Sequence, residues 1–80
     1  MKIRYTLHAK LRMQQRGVTH EQVIQNLLYP DKFYYKNDQQ TYITYYTSTK
    51  LLLIICKKIK GRYKIITVYY SDQLKKYLNL

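Results

Sequence analysis

The segment LLLIICKKIKGRYKIITVYY, residues 51–70, decides the fold. It begins with an uninterrupted apolar run from Leu51 to Cys56, which is typical of a strand in the centre of a sheet. Lys60-Gly61 is a turn sequence, because glycine readily adopts the left-handed backbone that tight hairpin turns need. The segment therefore predicts two antiparallel strands, Leu51–Ile59 and Arg62–Tyr70.

Two more strands are predicted before this hairpin. Lys32–Lys36 and Gln40–Thr47 are rich in aromatic and β-branched residues, which favour strands. Asn37-Asp38 joins them, and a turn near Ser48-Thr49 leads into the hairpin. Four consecutive strands with short turns predict a four-stranded antiparallel sheet, to which Ile3–Tyr5 could add a short edge strand.

The residues before the sheet predict two helices. Thr6 is a suitable N-cap for a helix over Leu7–Arg16, and Gly17 is suited to the left-handed position that ends it. Thr19 and Gln22 have the spacing of a capping box at the start of the second helix.

The predicted fold is α+β, with both helices packed on the sheet in one domain of residues 1–80. Eighty residues leave room for one modest core. A short C-terminal helix is predicted from Ser71, as its cap, to Leu78.

Composition indicates an anionic partner. Fifteen Lys and Arg against four Asp and Glu give a formal net charge of +11, which favours a polyanion, RNA above others. The alternative is codon bias in an AT-rich genome, but that bias would enrich acidic residues too.

Cys56 is the only cysteine, so no internal disulfide is expected and a cytoplasmic location is favoured. No apolar run is long enough to span a membrane.

One side of the first predicted helix combines a histidine with two arginines. His8, Arg12 and Arg16 recur every four residues and so form one stripe. Arginine binds phosphate oxygens in a planar fork, and histidine can transfer a proton near neutral pH. The alternative interpretation is an ordinary solvated helix surface.

The last two predicted strands carry further candidate contacts. The basic hairpin residues Lys57, Lys58, Lys60 and Arg62 are predicted to contact phosphates, or else to provide solubility and edge protection. Alternation along the last strand predicts a basic end and an aromatic end, a combination suited to single-stranded RNA, although ordinary sheet packing would also explain the tyrosines. It places Arg62, Lys64, Ile66, Val68 and Tyr70 on one face, and Tyr63, Ile65, Thr67 and Tyr69 on the other.

Metal and cofactor sites are not predicted. The histidines are His8 and His20, and the four carboxylates are not at ligand spacing relative to them. Gly17 and Gly61 do not form a nucleotide-binding loop. His20 is expected to face solvent, and Cys56 to lie in the core.

The string HAKLRMQQRGV at residues 8–18, together with ITVY at residues 66–69, resembles the bacterial family known as domain of unknown function 4258. That family is similar to the RelE-like and barnase-like small toxins, which pack helices on an antiparallel sheet, and many of which cut RNA without a metal. The resemblance implies that His8, Arg12 and Arg16 are motif positions and that Thr67 and Tyr69 lie on the strand facing that helix. The chain departs from the family in having fewer acidic residues in its middle region and more tyrosines.

The resulting expectation is a metal-independent endoribonuclease of toxin type. His8 would be the general base, Arg12 and Arg16 would stabilise charge on the phosphate, and Tyr69 or Lys64 would protonate the leaving oxygen. Thr67 and Tyr70 join the hairpin cations as expected RNA contacts. Expected partners are RNA, including ribosome-bound message, and an acidic antitoxin. The alternatives are a non-catalytic RNA- or DNA-binding module, such as a phage accessory protein, and a domain that binds an acidic protein.

Overall fold

The computed structural model describes residues 2–73 and 76, in which two helices follow the first of five strands. In chain order the elements are β1 (Lys2–Tyr5), α1 (Leu7–Arg16), α2 (His20–Leu28), β2 (Lys32–Lys36), β3 (Gln39–Tyr45), β4 (Leu51–Ile59) and β5 (Arg62–Ser71). The α+β class, both helices and the short first strand agree with the sequence-based predictions.

Capping residues set the helix ends as predicted. The Thr6 hydroxyl accepts a hydrogen bond from the Ala9 amide, and Gly17 ends α1 in the left-handed conformation at φ 68°. Thr19 and Gln22 form both hydrogen bonds of a capping box at the start of α2. Local sequence therefore accounts for where the helices begin and for where α1 ends.

The sheet has five strands in the order β1-β5-β4-β3-β2, so the predicted four-stranded antiparallel sheet is wrong. All neighbours are antiparallel except β1 and β5, which pair in parallel from Lys2↔Arg62 to Tyr5↔Ile65. A parallel pair needs a crossover, and here both helices and three strands separate the two partners. The turns Asn37-Asp38 and Lys60-Gly61 lie at one end of this sheet, the hairpin end, and all four of their residues have positive φ.

The predicted C-terminal helix does not begin where expected. Ser71 is the last residue of β5 and not a helix cap, and its hydroxyl accepts a hydrogen bond from the Gln73 amide. Asp72 and Gln73 are not helical. The rest of that prediction lies outside the described residues, apart from residue 76.

A β-bulge in β5 overturns the predicted alternation of that strand. Ile55 pairs with Thr67 whereas Cys56 pairs with Ile65, so Ile66 is an extra residue. The Thr6 hydroxyl donates to the Ile66 carbonyl at 3.0 Å, which fastens the bulge to the start of α1. Beyond the bulge each side chain changes face relative to strict alternation.

Both helices pack on one side of the sheet, the helix face. Ala9, Val18, Val23 and Leu27 share its core with strand residues that alternate along β4 and continue on β5: Leu52, Ile54, Cys56, Ile65 and Val68, with Tyr63 and Tyr70 partly buried beside them. Tyr70 and Val68 therefore lie with Tyr63 and Ile65, contrary to the prediction.

The other side of the sheet, the opposite face, has its own buried cluster. Ile43, Leu51 and Leu53 are fully buried there, with Tyr34 and Tyr69 packed against them. The first half of β4 is thus buried on both faces, which explains its continuous apolar run.

Asn26 is the one buried polar side chain among the described residues. Its amide nitrogen donates to the Leu52 carbonyl at 3.0 Å and to the Tyr42 carbonyl at 3.4 Å, and its amide oxygen accepts from the Thr44 hydroxyl. These bonds fix α2 to β3 and β4.

Candidate nucleic-acid interface

Five cationic side chains of β1, β4 and β5 share the hairpin end of the opposite face. Ile3 and Tyr5 pack in the helix-face core, so alternation directs Lys2 and Arg4 to the other side. The same alternation applies to Arg62 and Lys64, which flank Tyr63, and to Lys57, which pairs with Lys64. We call Lys2, Arg4, Lys57, Arg62 and Lys64 the basic face.

Strand pairing arranges the basic face in rows. Lys64 pairs with Arg4 on one side and with Lys57 on the other, so one row of three cations crosses β1, β5 and β4. Arg62 pairs with Lys2 in the next row. Directly paired like charges destabilise a sheet, so this arrangement costs folding stability.

Pockets and charge distribution also distinguish this surface. A pocket of about 510 Å³ and a smaller one of about 260 Å³ both include Arg4 and Arg62 in their linings. The four carboxylates of the chain are Glu21, Asp31, Asp38 and Asp72, none of which belongs to β1, β4 or β5. The larger pocket is lined by Arg4, Ile59, Lys60, Arg62, Tyr63 and Lys64.

The predicted hairpin cations therefore divide between two faces. Lys57 and Arg62 lie on the basic face, and Lys60 is in the turn. Lys58 is on the helix face, with Nζ 5.2 Å from the centroid of the Tyr63 ring.

Lys2 and Arg4 were not predicted as site residues. The alternation of charge with Ile3 and Tyr5 was the available signal, but it did not identify β5 as the partner strand.

The stripe of His8, Arg12 and Arg16 lies on the surface of α1. His8 and Arg16 are exposed, while Arg12 is half-buried and donates from Nη1 to Gln15 Oε1 at 3.2 Å. Arg16 lines a separate pocket of about 430 Å³ with Tyr70 and four other residues, Lys50, Ser71, Asp72 and Gln73. The stripe thus extends toward the end of the sheet away from the hairpin end.

The structure does not bring all the predicted catalytic and RNA-binding residues together. Lys64, Thr67 and Tyr69 belong to the opposite face, whereas the stripe belongs to α1 on the helix face. Tyr70 is instead on the side of α1, where burial and the nearby Tyr46 raise its pKa although Arg16 acts in the other direction. The bulge at Ile66 accounts for these positions, because it places Tyr69 with Lys64 and Tyr70 with Tyr63.

A family comparison covers most of the chain. The family described as "Domain of unknown function (DUF4258)" matches residues 5–70. The chain belongs to the DUF4258 family. Searches of curated proteins and of solved structures gave no match to this DUF4258 chain.

His20 of this DUF4258 protein has a specific neighbour that was not predicted. It is exposed, as expected, but its Nδ1 is hydrogen-bonded to the Tyr5 hydroxyl. The two rings meet edge to face, with their centroids 5.6 Å apart. Burial and, to a smaller extent, Glu21 raise the pKa of Tyr5. The pair links β1 to the start of α2.

Cys56 is buried in the core, where its thiol is poorly suited to nucleophilic chemistry. Burial raises the pKa of the Cys56 thiol to about 11, although nearby Lys58 acts in the other direction. The raised pKa disfavours the reactive thiolate. In the described part of the chain, no three His, Cys, Asp or Glu side chains group as metal ligands do. The same residues include no helix long and apolar enough to cross a membrane.

Proposed function

We propose that this chain binds RNA through the basic face. The observation that carries the proposal is the parallel β1–β5 pairing, which adds Lys2 and Arg4 to cations of the β4–β5 hairpin. Phosphate contacts supply most of the affinity in such complexes, and arginine matches phosphate oxygens with a fork of donors.

The folding stability that is lost by placing like charges side by side indicates that the cation rows serve in binding. Three directly opposed pairs of like charges repel each other in the free protein: Lys2 with Arg62, and Lys64 with both Arg4 and Lys57. A polyanion relieves that repulsion, so its binding stabilises the fold by mass action. RNA is favoured over duplex DNA because Tyr63 lines the same pocket as Arg4, Arg62 and Lys64, and unpaired bases stack on such rings.

A salt titration tests this proposal. The affinity of the full chain for a fluorescent single-stranded RNA is measured from about 50 to 200 mM salt, where the logarithm of the association constant should fall linearly. Five phosphate contacts predict a slope of about −3.5. A slope near zero, or stronger binding to an acidic protein that RNA does not displace, contradicts the proposal.

A second candidate function is metal-independent RNA cleavage, supported by the surface stripe of His8, Arg12 and Arg16 on α1. An RNA 2′-hydroxyl would attack the adjacent phosphorus and the P–O5′ bond would break, leaving a cyclic phosphate. His8 would accept the hydroxyl proton, Arg12 would hold the phosphate, and water would protonate the 5′ oxygen. Lys64 and Tyr69 have no part in this version, because they belong to the other face of the sheet.

Substitution of His8 separates the two functions. If the chain cleaves RNA, His8→Ala should lower the cleavage rate about a hundredfold while RNA affinity changes little. The matched control is His20→Ala, which removes the other imidazole and should leave cleavage unchanged. Cleavage is followed on labelled RNA in the presence of a chelator. A His8→Ala protein that cuts at the original rate, or an original protein that leaves RNA intact, overturns the catalytic candidate.

A further inference from the structure

Three aromatic rings form a row on the helix face. Phe33, Tyr42 and Tyr63 come from β2, β3 and β5. The centroids of Phe33 and Tyr42 are 5.0 Å apart, and those of Tyr42 and Tyr63 are 6.2 Å apart. We call these three residues the aromatic row.

The middle of the aromatic row is fixed and its outer end is accessible. Tyr42 is only 8% exposed, its hydroxyl donates to Gln40 Oε1 at 3.2 Å, and burial together with Tyr63 raises its pKa. Phe33 lies on an edge strand and is 47% exposed. A large apolar ring that is held by a rigid neighbour and still accessible to solvent can accept a flat ligand at little entropic cost.

Charge around the aromatic row gives the ligand a direction. Lys58 lies over Tyr63, and Tyr63 also lines the pocket that contains Arg4, Arg62 and Lys64. The row lies on the helix face and the basic face on the other side of the sheet, so the two surfaces meet only around the hairpin end. At the β2 end, Asp31 and Asp38 lie just before and just after the strand, and Asp38 accepts from the Tyr35 hydroxyl at 3.5 Å. A polyanion would leave the row on the Tyr63 side.

We infer that Phe33, at the accessible end of the aromatic row, stacks an unpaired base of single-stranded RNA whose backbone passes Lys58 and continues around the hairpin end to the basic face. The inference rests on the proposed function and specifies its substrate class. Rings beside cations are the combination by which proteins hold single strands, since every base has a face that can stack. Bases within a duplex are already stacked and do not reach such a row.

The conservative pair Phe33→Leu and Phe33→Tyr tests the inference. The probes are oligouridine and an RNA hairpin of equal phosphate number, whose bases are all paired in the stem or stacked within a structured tetraloop. Phe33→Leu should weaken binding of oligouridine about tenfold and leave binding of the RNA hairpin unchanged. The salt dependence of the affinity should keep its slope, because no phosphate contact is lost. Phe33→Tyr keeps a ring and should retain the affinity. Tyr29→Leu, at a site that is 72% exposed and outside the row, is the matched control.

A second measurement needs no substitution. Phe33 is the only phenylalanine of the chain, so ring-labelled phenylalanine gives a single set of NMR signals. Oligouridine should shift these ring signals upfield, as base stacking does, and the hairpin should not.

The outcomes distinguish this inference from the proposed function. Three results would overturn the stacking inference alone. They are equal affinity for both probes, Phe33 ring signals that do not shift, and a Phe33→Leu variant that loses equal affinity for both probes. If neither probe binds with a salt-dependent affinity, the proposed function fails as well.

Discussion

Reversing Arg4, Arg62 and Lys64 to glutamate is expected to lower RNA affinity on the order of a thousandfold at low salt. The three side chains are exposed and form the centre of the basic face, so their reversal removes phosphate contacts and adds repulsion. The slope of log affinity against log salt should also become shallower by about 2. Both quantities come from fluorescence anisotropy titrations with single-stranded RNA.

A control with the same charge change shows whether position matters. Reversal of Lys10, Lys32 and Lys50 alters the net charge equally but leaves the basic face intact. This control should lose about tenfold in affinity, through the general field alone. Equal losses in the two triple variants would mean that binding depends on net charge and not on the basic face.

Replacing Asn26 by alanine is expected to lower the free energy of unfolding by about 3 kcal/mol. The change leaves the Leu52 carbonyl, the Tyr42 carbonyl and the Thr44 hydroxyl without their buried partner. Urea denaturation followed by circular dichroism measures the loss. Gln25→Ala, at the exposed neighbouring position, is the control and should change stability by less than about 0.5 kcal/mol. A loss of similar size in the control, or none in Asn26→Ala, contradicts this account of how α2 is held.

The helices and the β4–β5 hairpin were predictable because their signals are local. Thr6, Gly17 and the Thr19 capping box fix backbone conformation over a few residues, and Lys60-Gly61 forms the expected turn with positive φ at both positions. Such signals are independent of the remainder of the chain.

Features that depend on distant partners could not be predicted. The sequence around Ile3 indicates a short strand but not that it pairs in parallel with β5, about sixty residues later. The bulge at Ile66 is stabilised by a hydrogen bond from Thr6, so its position depends on tertiary contact and not on the strand's own sequence. One extra residue was enough to place Tyr69 and Tyr70 on the faces opposite to those predicted.

The same distinction applies to the candidate site. Lys57 and Arg62 were identified from a dense cluster of charge and Lys64 from the basic end of the last strand. Lys2 and Arg4 join them only through the β1–β5 pairing. The aromatic row was not recognised because its rings come from three separate strands. Both surfaces depend on strand order, which residue types alone do not specify.

The most direct test of the central claim is to map RNA binding onto the backbone by NMR. On addition of single-stranded RNA to ¹⁵N-labelled protein, the account predicts that the largest amide shifts occur in residues 2–5 and 57–64, the segments that form the basic face. Shifts confined to α1 and α2, with these segments unchanged, would contradict it.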